Sequence, residues 1–491
     1  MASTTYDWNR LLSGERRRRS SNRNSEQRKE IEYRIELERD YDRLLFSTPA
    51  RRLADKTQVF PLDPHDSVRT RLTHSHEVAN LARGVGTALA YRHSNDLGLA
   101  AVENCTRAVP SLLAAIGLSH DLGNPPFGHQ GEKAIQDWIR KNSRASGAQN
   151  ASFNIFDDGS DLTEAQKLDF LKFEGNAQAL RLLTRLQIVS DEFGLNMSYA
   201  FLAALLKYPV PSDKADKSTQ SRKKFNFFQS EADVVADVWA HTGLSEGKRH
   251  PLTFVMEACD DIAYSVLDLE DAAKKGLISF NDLIAWLSHV GGPSSKSPDK
   301  LIGIVCRQAA DREVTHRKFD LSGAELDDIS MQMLRVDTIG LMVNSITKAF
   351  VSNAPDILAG RFDQELLKVS EANALWSALK DFARKHVYSH RSVLEVELRG
   401  HRTIHALMDA FWKAIIDRKD PDNINSERNT PYSGYVYSRI SENYRRVASL
   451  SNMPMRYREL QLVTDMISGM TDTFAIDLHK KLEELDGRSI P

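Results

Sequence analysis

Ser119-His120-Asp121-Leu122-Gly123-Asn124-Pro125-Pro126-Phe127-Gly128-His129-Gln130-Gly131-Glu132 joins two helical patterns and carries most of the chemistry legible in this chain. The apolar run Leu112 to Leu118 just before it has helical character and closes on an adjacent imidazole and carboxylate. A Gly/Pro loop follows, which ends the first helix and turns the chain. His129 and Glu132 then fall one turn apart on the next helix and share a face. A His and an Asp side by side at a helix end can hold one metal ion, and a second His with its Glu can point at whatever that ion binds. The dipeptide alone is weak evidence, because a His at a helix end is commonly a cap or a core residue. Two distant segments strengthen it.

The first is Arg69-Thr70-Arg71-Leu72-Thr73-His74-Ser75-His76-Glu77, at the start of a helical pattern from Val68 to His93. Two antiparallel helices would bring His74 to His120. His76, two residues on, falls on nearly the opposite face and reads as structural, while His65 and Asp66 precede the helix as caps. The second is Glu257-Ala258-Cys259-Asp260-Asp261-Ile262-Ala263-Tyr264, which sets adjacent carboxylates inside an apolar helix. Burying a carboxylate costs several kcal/mol unless a cation or hydrogen bonds compensate. Asp260, Tyr264 and Asp268 follow at helical spacing on one face. His74, His120, Asp121 and Asp260 together offer two nitrogens and two carboxylate oxygens. That set suits Mn, Mg, Fe, Co, Ni or Zn, with no thiolate to decide among them, and leaves positions for water and substrate.

Helical periodicity recurs along the whole chain, in Val68–His93, Glu174–Leu186, Tyr199–Tyr208, Ala232–His241, Thr253–Lys274, Leu326–Phe350, Asp363–Lys385, Val393–Ile416, Tyr437–Ser449 and Tyr457–Leu485, the last broken near Gly469. Strand patterns are nearly absent; Gln58-Val59-Phe60-Pro61-Leu62 is the best extended candidate. The expected class is all-α: a helical core over 35–290 and a helical C-terminal region over 291–491 that completes the body and supplies subunit contacts. Residues 1–34, with the basic run Arg16 to Arg19 and Arg23, read as a flexible segment, and Lys214 to Lys224 as a second, solvated basic loop. The net charge of −2 creates no global field that selects nucleic acid or an anionic membrane. Three scattered cysteines without a CxxC exclude a disulfide scaffold and a thiolate zinc site. No apolar leader and no run of membrane-spanning length occur, so a soluble cytoplasmic protein is expected.

The order His74, His120-Asp121, Asp260 resembles the HD phosphohydrolase superfamily, and longer strings resemble the deoxyguanosinetriphosphate triphosphohydrolase (dGTPase) family. These are Arg69 to Ser75, His120 to Glu132, Phe173 to Gln178, Glu257 to Asp271, Arg51 to Leu62 and Ile467 to Asp472, so the likeness spans roughly residues 35 to 485. It implies an HD-domain helical core with His74, His120, Asp121 and Asp260 as metal ligands and His129 and Glu132 as the catalytic pair. It also implies Gln58 and Asp268 at a deoxyribose 3′-hydroxyl, Tyr264 against the sugar face, and Lys207-Tyr208 at the phosphates. Asn176 lies in a family string without an assigned role. Arg69 and Arg71 are further candidates to balance a triphosphate.

The activity implied is metal-dependent hydrolysis of a dNTP, dGTP foremost, at the α-phosphorus to a deoxynucleoside and tripolyphosphate. A divalent ion there would act as Lewis acid and acidify a water, and His129 would protonate the leaving 5′-oxygen or, alternatively, activate the nucleophile. Three rival readings share the metal residues: a broad-specificity dNTPase, another HD-type phosphohydrolase (a nucleoside 5′-monophosphatase or cyclic-nucleotide phosphodiesterase), and a nucleotide-sensing protein that binds nucleic acid. The likeness further implies a homo-oligomer of four or six subunits, with single-stranded nucleic acid or a second dNTP as candidate effectors.

Overall fold

The computed structural model describes residues 5–18, 32–60, 67–143, 154–156, 162–187, 192–293, 295–316 and 318–487. The expectations for His65, Asp66, Arg19 and Arg23 fall outside these residues. The chain is all-α, and among the described residues no sheet forms. Of the extended segment at Gln58 only an isolated bridge, Thr57 to Thr70, is present, and Pro61 and Leu62 lie outside the described residues.

Three helices build the centre. Arg71–Arg92 starts at Thr70, whose hydroxyl caps the Thr73 amide in a capping box. Cys105–Ser119 carries Pro110 in its second turn and is buried over most of its length. These two cross closely because Gly117 has no side chain: a Cβ there would meet the Ala79 Cα at 2.8 Å. The crossing sets the His74 and His120 rings edge to face with centroids 5.5 Å apart. The third helix, Pro251–Lys274, has proline at its first position and packs against both.

The later helices interleave with this centre. Gly323–Leu358 packs along Pro251–Lys274, Arg391–Ile416 covers Gly128–Asn142, and Met455–Ser468 touches Glu164–Leu171 and Gly175–Arg181. One apolar cluster of buried residues runs from Trp8 to Leu482. The helix Asp363–Lys385 expected from periodicity divides into Leu366–Val369 and Asn373–His386, and Tyr437–Ser449 straddles two helices, Pro431–Ser438 and Glu442–Leu450. The charged helix Glu36–Leu45 adds to the elements read from sequence; Leu37, Tyr41, Leu44 and Leu45 recur at helical spacing, and Leu37 and Leu44 are buried.

The N-terminal segment departs from expectation. Residues 5–18 are docked: Trp8 and Leu11 are buried, and Trp8 Nε1 donates to the Leu97 carbonyl at 2.8 Å. Arg16 reaches Glu36 and Asp40 at 2.6 Å each. Asp40 is fully buried, and an unpaired carboxylate there would be costly, so one arginine of the basic run is drawn in. No described helix is long and apolar enough to cross a membrane.

Candidate active site

The metal-ligand set predicted from sequence converges. His74, His120 and Asp121 offer ligand atoms within 4.8 Å of one another. Asp260 Oδ1 adds a fourth side at 3.1 Å from His74 Nε2 and 3.4 Å from His120 Nε2. His120 Nδ1 lies 2.7 Å from the Gly117 carbonyl, which can only accept, so Nδ1 carries the proton and Nε2 presents a lone pair. That Nε2 is buried without a hydrogen-bond partner and faces two carboxylates, Asp121 Oδ2 at 3.6 Å being the second. A lone pair turned towards two anions needs a cation between them, and the two-nitrogen, two-oxygen donor set fits a divalent ion. Without one, burial would lower the His120 pKa, yet Asp121 and Asp260 push it up to about 9. Burial would likewise raise Asp121, but Arg71 and the two imidazoles hold it down to about 2.

Asp121 is fixed from both sides. Arg71 Nη1 donates to Oδ2 and Asn124 Nδ2 to Oδ1, both at 2.5 Å. Arg71 also lies against Gly128, the residue before His129, where a Cβ would clash with Nη2. Arg69, one of the triphosphate candidates, is held by carboxylates. Its guanidinium is engaged by Glu77 at 2.9 Å, Glu270 at 2.5 Å and Asp271 at 2.6 Å. Three carboxylates neutralise it, and it staples the start of one helix to the end of another.

His129 Nδ1 lies 3.0 Å from Glu132 Oε2, and the His129 side chain is 77 % exposed, with Nε2 left available. Glu132 is buried and also accepts from the Gly175 amide at 2.8 Å. Burial would raise its pKa, but His129, Lys224 and that amide hold it at about 2. Its hydrogen bond and charge in turn raise His129 above the usual imidazole value. Lys224, expected in a solvated loop, instead reaches into this group: Nζ lies 2.8 Å from Glu174 and 3.9 Å from Glu132. Asn176 Nδ2 donates to the same Glu174 oxygen at 2.8 Å, which gives that residue a place. Sequence spacing had no means of bringing Lys224 here, because it sits on an irregular segment.

On the other side, Lys207 lies just past the helix Tyr199–Leu205, with Nζ 3.6 Å from Glu257 and 5.8 Å from the Tyr208 ring centre. Burial alone would lower its pKa; Tyr208, Glu257, Asp260 and Asp261 raise it above the ordinary lysine value. Tyr264 stacks on Tyr388 at 5.5 Å, and the Tyr388 hydroxyl donates to Asp268 Oδ2 at 2.7 Å. Asp268 is 2 % exposed, and burial raises its pKa well above the carboxylate range. Tyr388 precedes the helix Arg391–Ile416 and escaped sequence reasoning because it lies on no periodic pattern. Gln58 Oε1 is buried without a partner, as expected of a group that awaits a ligand. The Thr57 to Thr70 bridge holds it beside Arg69, whose partners Glu270 and Asp271 end the same helix that carries Tyr264 and Asp268.

Helical architecture, the histidine and aspartate cluster and the adjoining His/Glu pair define an HD-domain hydrolase. Residues 71–174 match the family model described as HD domain, a range that contains His74, His120, Asp121, His129 and Glu132 but not Asp260. The likeness extends much further. The chain is 35 % identical over 484 residues to a deoxyguanosinetriphosphate triphosphohydrolase-like protein of Listeria monocytogenes, covering 97 % of this chain and 99 % of the relative. It is 32 % identical over 501 residues to the deoxyguanosinetriphosphate triphosphohydrolase of Yersinia pestis, covering 92 % of this chain and 95 % of the relative. The chain therefore belongs to the deoxyguanosinetriphosphate triphosphohydrolase family.

Proposed function

We propose that the protein hydrolyses dNTPs, dGTP foremost, releasing the deoxynucleoside and intact tripolyphosphate. The observation that carries this reading is the placement of His129, with Nδ1 engaged by buried Glu132 and its side chain exposed, one residue beyond Gly128, against which Arg71, the partner of Asp121, lies. His74, His120, Asp121 and Asp260 would hold a divalent ion, which when bound supplies Lewis acidity at phosphate oxygen and acidifies water. Glu132 favours the protonated form of His129, which suits the role of acid: Nε2–H passes its proton to the 5′-oxygen as the bond from that oxygen to the α-phosphorus breaks. Water supplies the oxygen of the new bond to phosphorus, and its proton restores His129. Lys207 and Lys224 balance triphosphate charge. Gln58 and Asp268 hold the 3′-hydroxyl, while Tyr264, backed by Tyr388, packs on the sugar and disfavours a 2′-hydroxyl.

The test is a manganese-supplemented assay of the full chain against all four dNTPs and GTP, with and without a second dNTP, resolving tripolyphosphate from pyrophosphate and orthophosphate. Tripolyphosphate from dGTP and none from GTP is the expected result. Equal turnover of all four dNTPs would make the enzyme a broad dNTPase, and no tripolyphosphate from any of them would sink the proposal.

A further inference from the structure

Asp472 belongs to a sequence string that the proposed chemistry does not use. It opens the last helix, Asp472–Leu485, and is 1 % exposed. Its two oxygens are divided between two segments of the active site. Oδ2 accepts from the Thr57 amide at 3.0 Å and the Thr57 hydroxyl at 2.5 Å, next to Gln58. Oδ1 accepts from the Phe127 amide at 3.0 Å, two residues before His129. Phe127 and Gly128 both have left-handed backbones, at φ of 61° and 59°. A non-glycine residue in that region costs energy and persists only where its surroundings hold it. The bond from the Phe127 amide is one such hold, and the turn it fixes sends His129 and Glu132 into their helix.

We propose that Asp472 is a positioning residue that sets the Gln58 segment and the His129 turn in one register, so that sugar recognition and proton transfer are aligned together. The proposal rests on the dNTP reading above. A carboxylate suits the task because both oxygens accept; Asn at 472 would present an amide N–H to one of the two segments. Thr473, on the same first turn, bonds only the exposed side of Asp55 and has no such reach.

The experiment compares the full-length wild type with Asp472→Asn, Gln58→Ala, their combination, Thr57→Val and Thr473→Ala. It reads kcat, KM, bound metal, melting temperature, and the preference for dGTP over its 3′-deoxy analogue. Misplacing catalytic groups by a fraction of an ångström lowers kcat by about tenfold or more. Asp472→Asn is expected to show that loss with metal content intact and with the 3′-hydroxyl preference eroded. Adding Gln58→Ala to Asp472→Asn should erode the preference little further, since the two act on one contact. Thr473→Ala should match the wild type. Kinetics and 3′-preference within about twofold of wild type in a folded Asp472→Asn would overturn the proposal, as would a loss that tracks lost metal. If Asp472→Asn does not fold, Thr57→Val decides by the same two readouts. A wild type that hydrolyses no dNTP fails the functional reading instead, which is a distinguishable result.

Discussion

At the scale of single residues, the proposed chemistry separates ion-holding groups from proton-handling groups, and substitution should reveal the split. Asp121 has an imidazole cluster on one side and Arg71 and Asn124 on the other. Replacing it with Ala should abolish both metal binding and turnover. His129 touches Glu132 and none of the metal-ligand carboxylates. His129→Ala should therefore lower kcat by roughly two to four orders of magnitude while leaving bound metal near wild type. Metal analysis alongside steady-state kinetics reads both. A His129→Ala enzyme within about threefold of wild type, less than about 1 kcal/mol of barrier, would remove His129 from the chemistry.

At the scale of elements, helix crossings and caps decide whether the residues meet. The approach of Cys105–Ser119 to Arg71–Arg92 depends on Gly117, where a Cβ would sit 2.8 Å from the backbone of Ala79. Backbone cannot step aside as a side-chain tip can, so Gly117→Ala should cost about 1 to 3 kcal/mol and push His74 away from His120. A lowered urea midpoint together with weaker metal affinity is the expected result; stability lost without any change in affinity would mean that the helices relax elsewhere. The cap of Pro251–Lys274 gives a pH prediction. His250 is fully buried, donates Nε2–H to the Leu11 carbonyl at 3.0 Å and accepts from the Leu252 amide at 3.1 Å. Burial pulls its pKa down to about 4, against which the Leu11 bond pulls weakly. The folded state thus prefers the neutral ring. Its contribution is fully present above about pH 6.5 and is lost as pH falls towards 4, about 3 kcal/mol in all. Urea unfolding at pH 7 and pH 4.5 should show this loss, and His250→Gln, which keeps a donor and an acceptor without titrating, should show less of it.

At the scale of the whole molecule, charges buried between distant segments join the C-terminal helices to the catalytic ones. Arg181 binds Asp465 at 2.8 Å and Glu231 at 2.9 Å, all three essentially out of solvent. Arg181→Ala would leave two buried carboxylates unpaired and should destabilise the protein by about 3 to 5 kcal/mol, readable by urea unfolding. Little change would mean that water or a neighbouring donor replaces the guanidinium. The all-α class, the positions of the central helices and the meeting of His74, His120 and Asp121 were legible in the sequence. Helical spacing records which face is buried, and a charged group inside an apolar run records a partner. The three carboxylates around Arg69 were not legible, because a guanidinium looks alike in sequence whether or not it is already paired. Lys224, Tyr388 and Asp472 carry no periodic signal that would tie them to the site; Lys224 and Tyr388 lie on irregular chain, and Asp472 begins a helix whose exposed and buried faces say nothing of Thr57 or Phe127. Sequence by itself determined the helices, the ligand types and the His/Glu pair, because those depend on local spacing. Which cations remain available, and which distant carboxylate aligns the two halves of the site, only the tertiary structure decided, because long-range pairing depends on how buried charge is neutralised once the helices have packed.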